Sequence, residues 1–241
     1  MKPIHVSVIA GLSVAMFGAA QAELEGSVHV GINTEYIWRG VDQSSGNSDS
    51  MFEAGLDLGL GSVAGWDVGV NVWYASMNGD SPSLNSWNET DYSVSASRSF
   101  GCVETSLTYI YYDFPSNNTS SAEELALGFS TELLAGDVGF TYFMEIEGDN
   151  DGYSELTYDR SFAICDACTL GLGATIAYDF ETSDVHHYGL SAVVNYAVND
   201  VLTVSPYVSA TFAEDGAQNG VLGAAGQDDE LFGGLLVSAA F

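Results

Sequence analysis

The chain has 241 residues and carries 4 lysines and arginines against 33 aspartates and glutamates, a formal net charge of −29. So few cations cannot neutralise a phosphate backbone, which excludes nucleic-acid binding. The length suits one domain, and no stretch has the composition of a linker.

The first 22 residues read as a signal peptide. Lys2 supplies a positive start, Ile4 to Phe17 an apolar stretch, and Ala20-Gln21-Ala22 a small-x-small cleavage site. The expected domains are therefore 1–22, removed on export, and 23–241, the mature protein. Without Lys2 the only basic residues other than histidine are Arg39, Arg98 and Arg160. No later apolar run is long enough for a spanning helix. An exported chain of this kind can still cross a membrane, but only as a closed barrel.

Alternation then sets in. From Phe52 to Leu60 every second residue is apolar, while Glu53, Gly55, Asp57 and Gly59 stand between them. Period two marks an extended strand whose faces meet opposite environments. The pattern and the turn residues predict about twelve strands, near 26–39, 51–60, 65–76, 90–100, 102–113, 122–133, 136–147, 152–164, 168–180, 186–198, 201–213 and 231–241. Connections after odd strands are long or polar, as at 41–50, 78–89 and 214–230. Those after even strands are tight, as at Leu134-Ala135 and Asn199-Asp200. Loops on one side and short turns on the other imply an all-β fold, a closed antiparallel up-and-down transmembrane barrel with both termini on the turn side.

The faces fit a bilayer. Trp66, Val68, Val70, Val72 and Tyr74 oppose Asp67, Gly69, Asn71 and Trp73, and the later strands repeat the contrast. Aromatic residues gather at the ends of the apolar faces. Tyr36, Trp38, Tyr74, Tyr109, Tyr111, Tyr178 and Tyr188 are expected in a girdle on the loop side, with Trp66, Phe100, Phe162, Tyr196 and Phe241 on the turn side. Arg98 and Arg160 fall on the lipid parity near the turns, where their heads can snorkel to the interface. These features imply a Gram-negative-type outer membrane, the lipid bilayer as solvent, and recognition by the barrel-assembly machinery through Phe241.

The first strand and its exit resemble a known family. Glu35-Tyr-Ile-Trp-Arg-Gly-Val-Asp-Gln-Ser44 is similar to the aspartate-tyrosine…arginine-glycine-serine-glutamine signature of the TorF family of proteobacterial outer-membrane porins. Glu53-Ala-Gly-Leu-Asp57 and Tyr111-Tyr-Asp-Phe-Pro115 resemble it too, although Glu35 and Asp42 stand where that family has aspartate and serine. The resemblance implies an outer-membrane barrel with a channel role.

Strand parity assigns a pore lining of Glu35, Arg39, Glu53, Asp57, Asp67, Asn71, Glu104, Glu132, Glu145 and Asp179, with Glu124, Glu147, Glu155 and Asp159 sharing the inward face. Carboxylates on a low-dielectric wall concentrate cations. The expected function is passive diffusion of small cationic or neutral solutes. The alternative is a non-conducting structural or adhesive barrel acting through its loops. Inward glycines argue for an open path; Trp73, Ile110, Tyr112, Phe143, Tyr207 and Phe232 argue for partial filling. Arg39, the one cation expected inside, pairs in this reading with Glu35 or Glu53, or simply holds the register of the first two strands. Cys165 and Cys168 bound a two-residue turn and are a disulfide candidate; Cys102 is the odd thiol or an alternative partner. His186 and His187, beside Asp184, are expected as solvated loop-end residues with no serine nucleophile motif near them. No enzyme activity, cofactor or metal is expected.

Overall fold

The structure is a computed structural model and describes residues 25–43, 50–77, 88–115, 120–146, 152–214 and 229–241. The signal-peptide assignment, Glu147 and most of the long loops lie outside the described residues. The strands are β1 (Glu25–Asn33), β2 (Ile37–Trp38), β3 (Val41–Asp42), β4 (Met51–Val63), β5 (Trp66–Met77), β6 (Asn88–Phe100), β7 (Val103–Asp113), β8 (Ala122–Leu133), β9 (Gly136–Glu145), β10 (Tyr153–Cys165), β11 (Cys168–Asp179), β12 (Asp184–Ala197), β13 (Leu202–Ala213) and β14 (Glu230–Ala240). All but β2 and β3, which pair only with each other, form an antiparallel ring that β1 closes between β14 and β4. Val28 faces Ala239 on one side and Leu56 on the other.

The turn end is built from chemistry legible in the chain. Leu134 and Ala135 both take positive φ (54° and 59°), as do Ala64 and Gly65 (54° and 81°), which makes two-residue hairpins whose twist matches the strands. Asn199 Oδ1 accepts the backbone N–H groups of Val201 and Leu202, an Asx turn. Cys165 and Cys168 are disulfide-bonded across their turn with a Cα–Cα distance of 4.7 Å, and Cys102 is a free, exposed thiol.

Outward residues are apolar and bare. Ile32, Val94, Leu107, Leu156, Leu190 and Val208 form an exposed band, with Leu190 55% accessible. In water such a surface would drive aggregation; a closed barrel carrying it belongs in a bilayer. Aromatic pairs mark the rims: Trp66 with Phe100 at the turn end, and Tyr92 with Tyr111 at the loop end. The exposed Arg98 and Arg160 lie over Phe100 and Phe162, with guanidinium carbons 5.3 and 4.9 Å from the ring centres.

The core lies inside the barrel, at its loop end. One cluster joins Ile110, Tyr112, Ala126, Phe143, Tyr153 and Ala177; another joins Tyr36, Met51, Ala75 and Met77, with Trp38 and Trp73 packed against it. This corrects the reading of the first strand. It stops at Asn33 instead of running to Arg39, and Tyr36 and Trp38 enter the lumen rather than a lipid-facing girdle. The chain turns in because residues 37–42 make a hairpin of their own. Ile37 pairs with Asp42 and Trp38 with Val41, across a two-residue turn in which Arg39 (φ 50°) and Gly40 (φ 77°) are both left-handed.

Candidate functional site

A ring of twelve strands about 4.8 Å apart, tilted by about 40°, has a backbone diameter of roughly 24 Å. Inward side chains such as Trp73 and Phe143 narrow the lumen further. The segment from Thr34 to Gln43, here termed the strap, fills it at the loop end. It leaves β1, tied at its base by Thr34 N–H to the Gly233 carbonyl (2.8 Å). From there it crosses the barrel.

Its tip is Arg39. The guanidinium donates from Nη1 to Glu124 Oε1 (2.9 Å) and from Nη2 to Oε2 (2.7 Å), a bidentate pair to β8 in which both side chains are only 10% exposed. Its central carbon lies 4.4 Å from the ring centre of Trp38, 4.6 Å from Phe143 and 4.5 Å from Tyr153. Tyr112 Oη donates to Glu124 Oε2 (2.8 Å), and Tyr153 Oη donates to Glu155 Oε1 (2.7 Å). Strand β9 lies half-way round the ring from β1, so Arg39 has reached the far wall.

Two side contacts hold the strap across the other diameter. Tyr36 Oη donates to Glu89 Oε2 on β6 (2.8 Å), and the Tyr36 ring packs 5.9 Å from Trp73. On the opposite wall Gly40 abuts the His187 ring of β12, where any Cβ would overlap it. Gly40 is thus needed twice, for its φ and for this close approach. Burial pushes the Tyr36 hydroxyl well above the ordinary tyrosine range, and the neighbouring Glu89 adds to the effect. Burial alone would lower the Arg39 pKa; the Glu124 carboxylate outweighs it and the guanidinium is held more firmly charged than usual. Burial, then Asp42, raises the Glu35 carboxyl.

Several buried polar atoms on the strap and the inner wall make no hydrogen bond to protein. They include Asp91 Oδ1 beside Glu89, Thr108 Oγ1 on β7, Ser209 Oγ and Thr211 Oγ1 on β13, and Glu35 Oε2 on the strap.

The residues assigned to the lining from parity scatter over this site. Glu53 accepts the Trp73 indole N–H (3.0 Å) below the strap, and Asp57 accepts from Asn71 Nδ2 (2.8 Å) and Ser27 Oγ (3.2 Å). Asp67 accepts from Ser62 Oγ, and Glu104 continues the inward face on β7. Glu132 is exposed at the turn rim, and Glu145 faces Glu124 in register near the loop rim. Asp179 Oδ1 accepts the backbone N–H groups of Glu181 and Thr182, so it caps a turn at the mouth. Glu35 stands on the strap and not on a barrel strand, because β1 ends before it. Arg39 pairs with Glu124, instead of Glu35 or Glu53, because the hairpin carries it away from both.

Sequence reasoning missed three groups. Glu89 lies at the start of β6, where the sequence reads as the end of a polar loop, and Asp91 falls in the expected strand but outside the assigned lining. His186 and His187 are 6% and 2% exposed: His187 shares the inward parity of Gly189 and Ser191, and a bulge between Ala177 and Tyr178 in the β11–β12 register leaves His186 out of step, so that it too turns in and packs on Tyr153. Their ring Nδ1 atoms lie 3.2 Å apart. The aromatic cage around Arg39 comes from three distant strands, and only its parity was visible.

Charge is unevenly spread round the lumen. Acids line β4 to β10, whereas β11 to β14 and β1 present Thr175, Ser191, Asn195, Ser205, Tyr207 and Ser209, with acids only near their ends. Among the described residues Arg39 is the one inward lysine or arginine, since Arg98 and Arg160 face outward.

No family model matches the chain, and no curated protein does. Solved structures share its fold. The KdgM porin aligns with a TM-score of 0.57 at 9% identity, over 89% of this chain and 99% of that one. An outer membrane channel from Pseudomonas putida F1 aligns at 0.59 and 10% identity, over 92% and 97%. The outer membrane phospholipase dimer with bound calcium from Salmonella typhi aligns at 0.53 and 11% identity, over 89% and 90%. The fold is that of outer-membrane β-barrels.

Proposed function

We propose that this chain is an outer-membrane channel through which small cationic or neutral solutes diffuse, along an acidic lumen narrowed by the strap. The observation that carries this reading is the inward charge: carboxylates from β4 to β10 face the lumen, and its one arginine is already neutralised by Glu124. Negative walls of low dielectric raise the local cation concentration and repel anions. The pore lining is Glu53, Asp57, Asp67, Asn71 and Glu104, with Glu124, Glu132 and Glu145 towards the mouths. The likeness of Glu35 to Ser44 to the TorF signature agrees with a channel role. Residues 1–22 act as the export signal, and Phe241 as the element read by the assembly machinery.

The strap itself favours a second reading, a non-conducting barrel whose loops meet a partner, because it crosses the lumen from wall to wall. Planar bilayers separate the two. The channel reading expects discrete current steps from the purified barrel; silence across many verified insertions overturns it.

A further inference from the structure

Glu124, Phe143, Tyr153 and Tyr112 all belong to barrel strands, so the cage they form round the Arg39 guanidinium is part of the wall and not of the strap. Only Trp38 and the arginine itself come from the hairpin. The cage supplies a carboxylate placed for two parallel N–H donors, with Phe143 and Tyr153 against the cation. That chemistry suits a planar, delocalised cation better than a compact, strongly hydrated one. The hairpin makes no strand pairing with the barrel and is joined to the walls through side chains. Arg39 is delivered at a left-handed φ that a non-glycine residue resists.

We propose that Glu124, Phe143, Tyr153 and Tyr112 form a binding site for guanidinium-type organic cations, that Arg39 is its tethered resident ligand, and that a solute of the same chemistry displaces the strap and opens the lumen. The opening step rests on the channel reading; the binding step does not. A tethered ligand competes at an effective concentration on the order of millimolar, so a free guanidinium compound must reach that range to displace it.

The test titrates ethylguanidinium into the purified full-length barrel in detergent, with tetramethylammonium and sodium at matched ionic strength as controls. In Arg39→Ala the cage is vacant, and saturable binding at least tenfold tighter than in the wild type is expected. Adding Glu124→Gln to that variant abolishes it, and adding Phe143→Ala weakens it several-fold. Arg39→Lys, which keeps the charge but loses the fork, gives an intermediate affinity and serves if the alanine variant fails to fold. Equal, unsaturable binding in the wild type, Arg39→Ala and Arg39→Ala/Glu124→Gln overturns the site. In planar bilayers ethylguanidinium raises the open probability of the wild type and reduces the current through Arg39→Ala, where it enters the vacant cage. Conductance that ignores it while binding persists overturns the opening step. Silence of every variant beside intact binding overturns the channel reading and leaves the site standing.

Discussion

Replacing Glu124 with glutamine keeps the shape of the wall and removes the charge that anchors the strap. Arg39 then faces aromatic rings and an amide, with both positions 10% exposed in the native pair. Removing one partner of a buried ion pair costs roughly 3–5 kcal/mol. The slight exposure and the surviving contacts to Trp38, Phe143 and Tyr153 place the effect near the lower end, about 3 kcal/mol. The cost does not unfold the barrel, because the hairpin can leave for water while the strands stay paired. It appears instead in the balance between seated and withdrawn strap. At 1.4 kcal/mol per factor of ten, the withdrawn population rises by about a hundredfold. Val41, on the hairpin and 5% exposed, reports on this. In a Cys102→Ser background, which removes the free thiol, Val41→Cys reacts with a bulky polar maleimide only when the strap is out. Glu124→Gln is expected to speed labelling by about two orders of magnitude. An unchanged rate in a correctly folded barrel would refute the view that the Arg39–Glu124 pair holds the strap.

The other contacts make smaller, separable predictions. Tyr36→Phe deletes a hydrogen bond to the Glu89 carboxylate, worth about 1.5–3 kcal/mol, and should accelerate the same labelling roughly tenfold or more. Leu190→Arg, at mid-strand on the outer face, should destabilise insertion into vesicles by about 2–4 kcal/mol; Ser191→Arg, one residue on but facing the lumen, should not. Cys165→Ser opens a loop of only a few residues, so its loss should lower stability by about 2 kcal/mol or less and leave the strap's labelling rate unchanged.

Most of the barrel is legible because lipid and water enforce opposite demands on neighbouring residues. Leu56 and Asp57 each have one tolerable direction, and a slip of one residue would reverse both. The alternation of long and short connections then orders the strands without any tertiary knowledge. The strap escaped because Thr34, Glu35, Tyr36, Ile37, Trp38 and Arg39 continue the same alternation while the lipid no longer enforces it. A local signal exists in Trp38-Arg39-Gly40-Val41, where a glycine-containing pair between apolar residues can form a two-residue hairpin. Its docking partner was out of reach, since Glu124 lies 85 residues away and is one inward acid among many. His186 illustrates a different failure: a bulge reverses parity locally, and the bulge has no signature in the chain.

In the proposed channel the acids on the inner wall set what passes. The measurement that meets it most directly is the reversal potential of single channels under a potassium chloride gradient, for the wild type and for Asp57→Asn/Asp67→Asn. Reversal displaced towards the potassium equilibrium potential is expected in the wild type, with a smaller displacement in the double variant. Reversal near zero or towards chloride in the wild type, or identical values in the two proteins, would contradict this role for the acids.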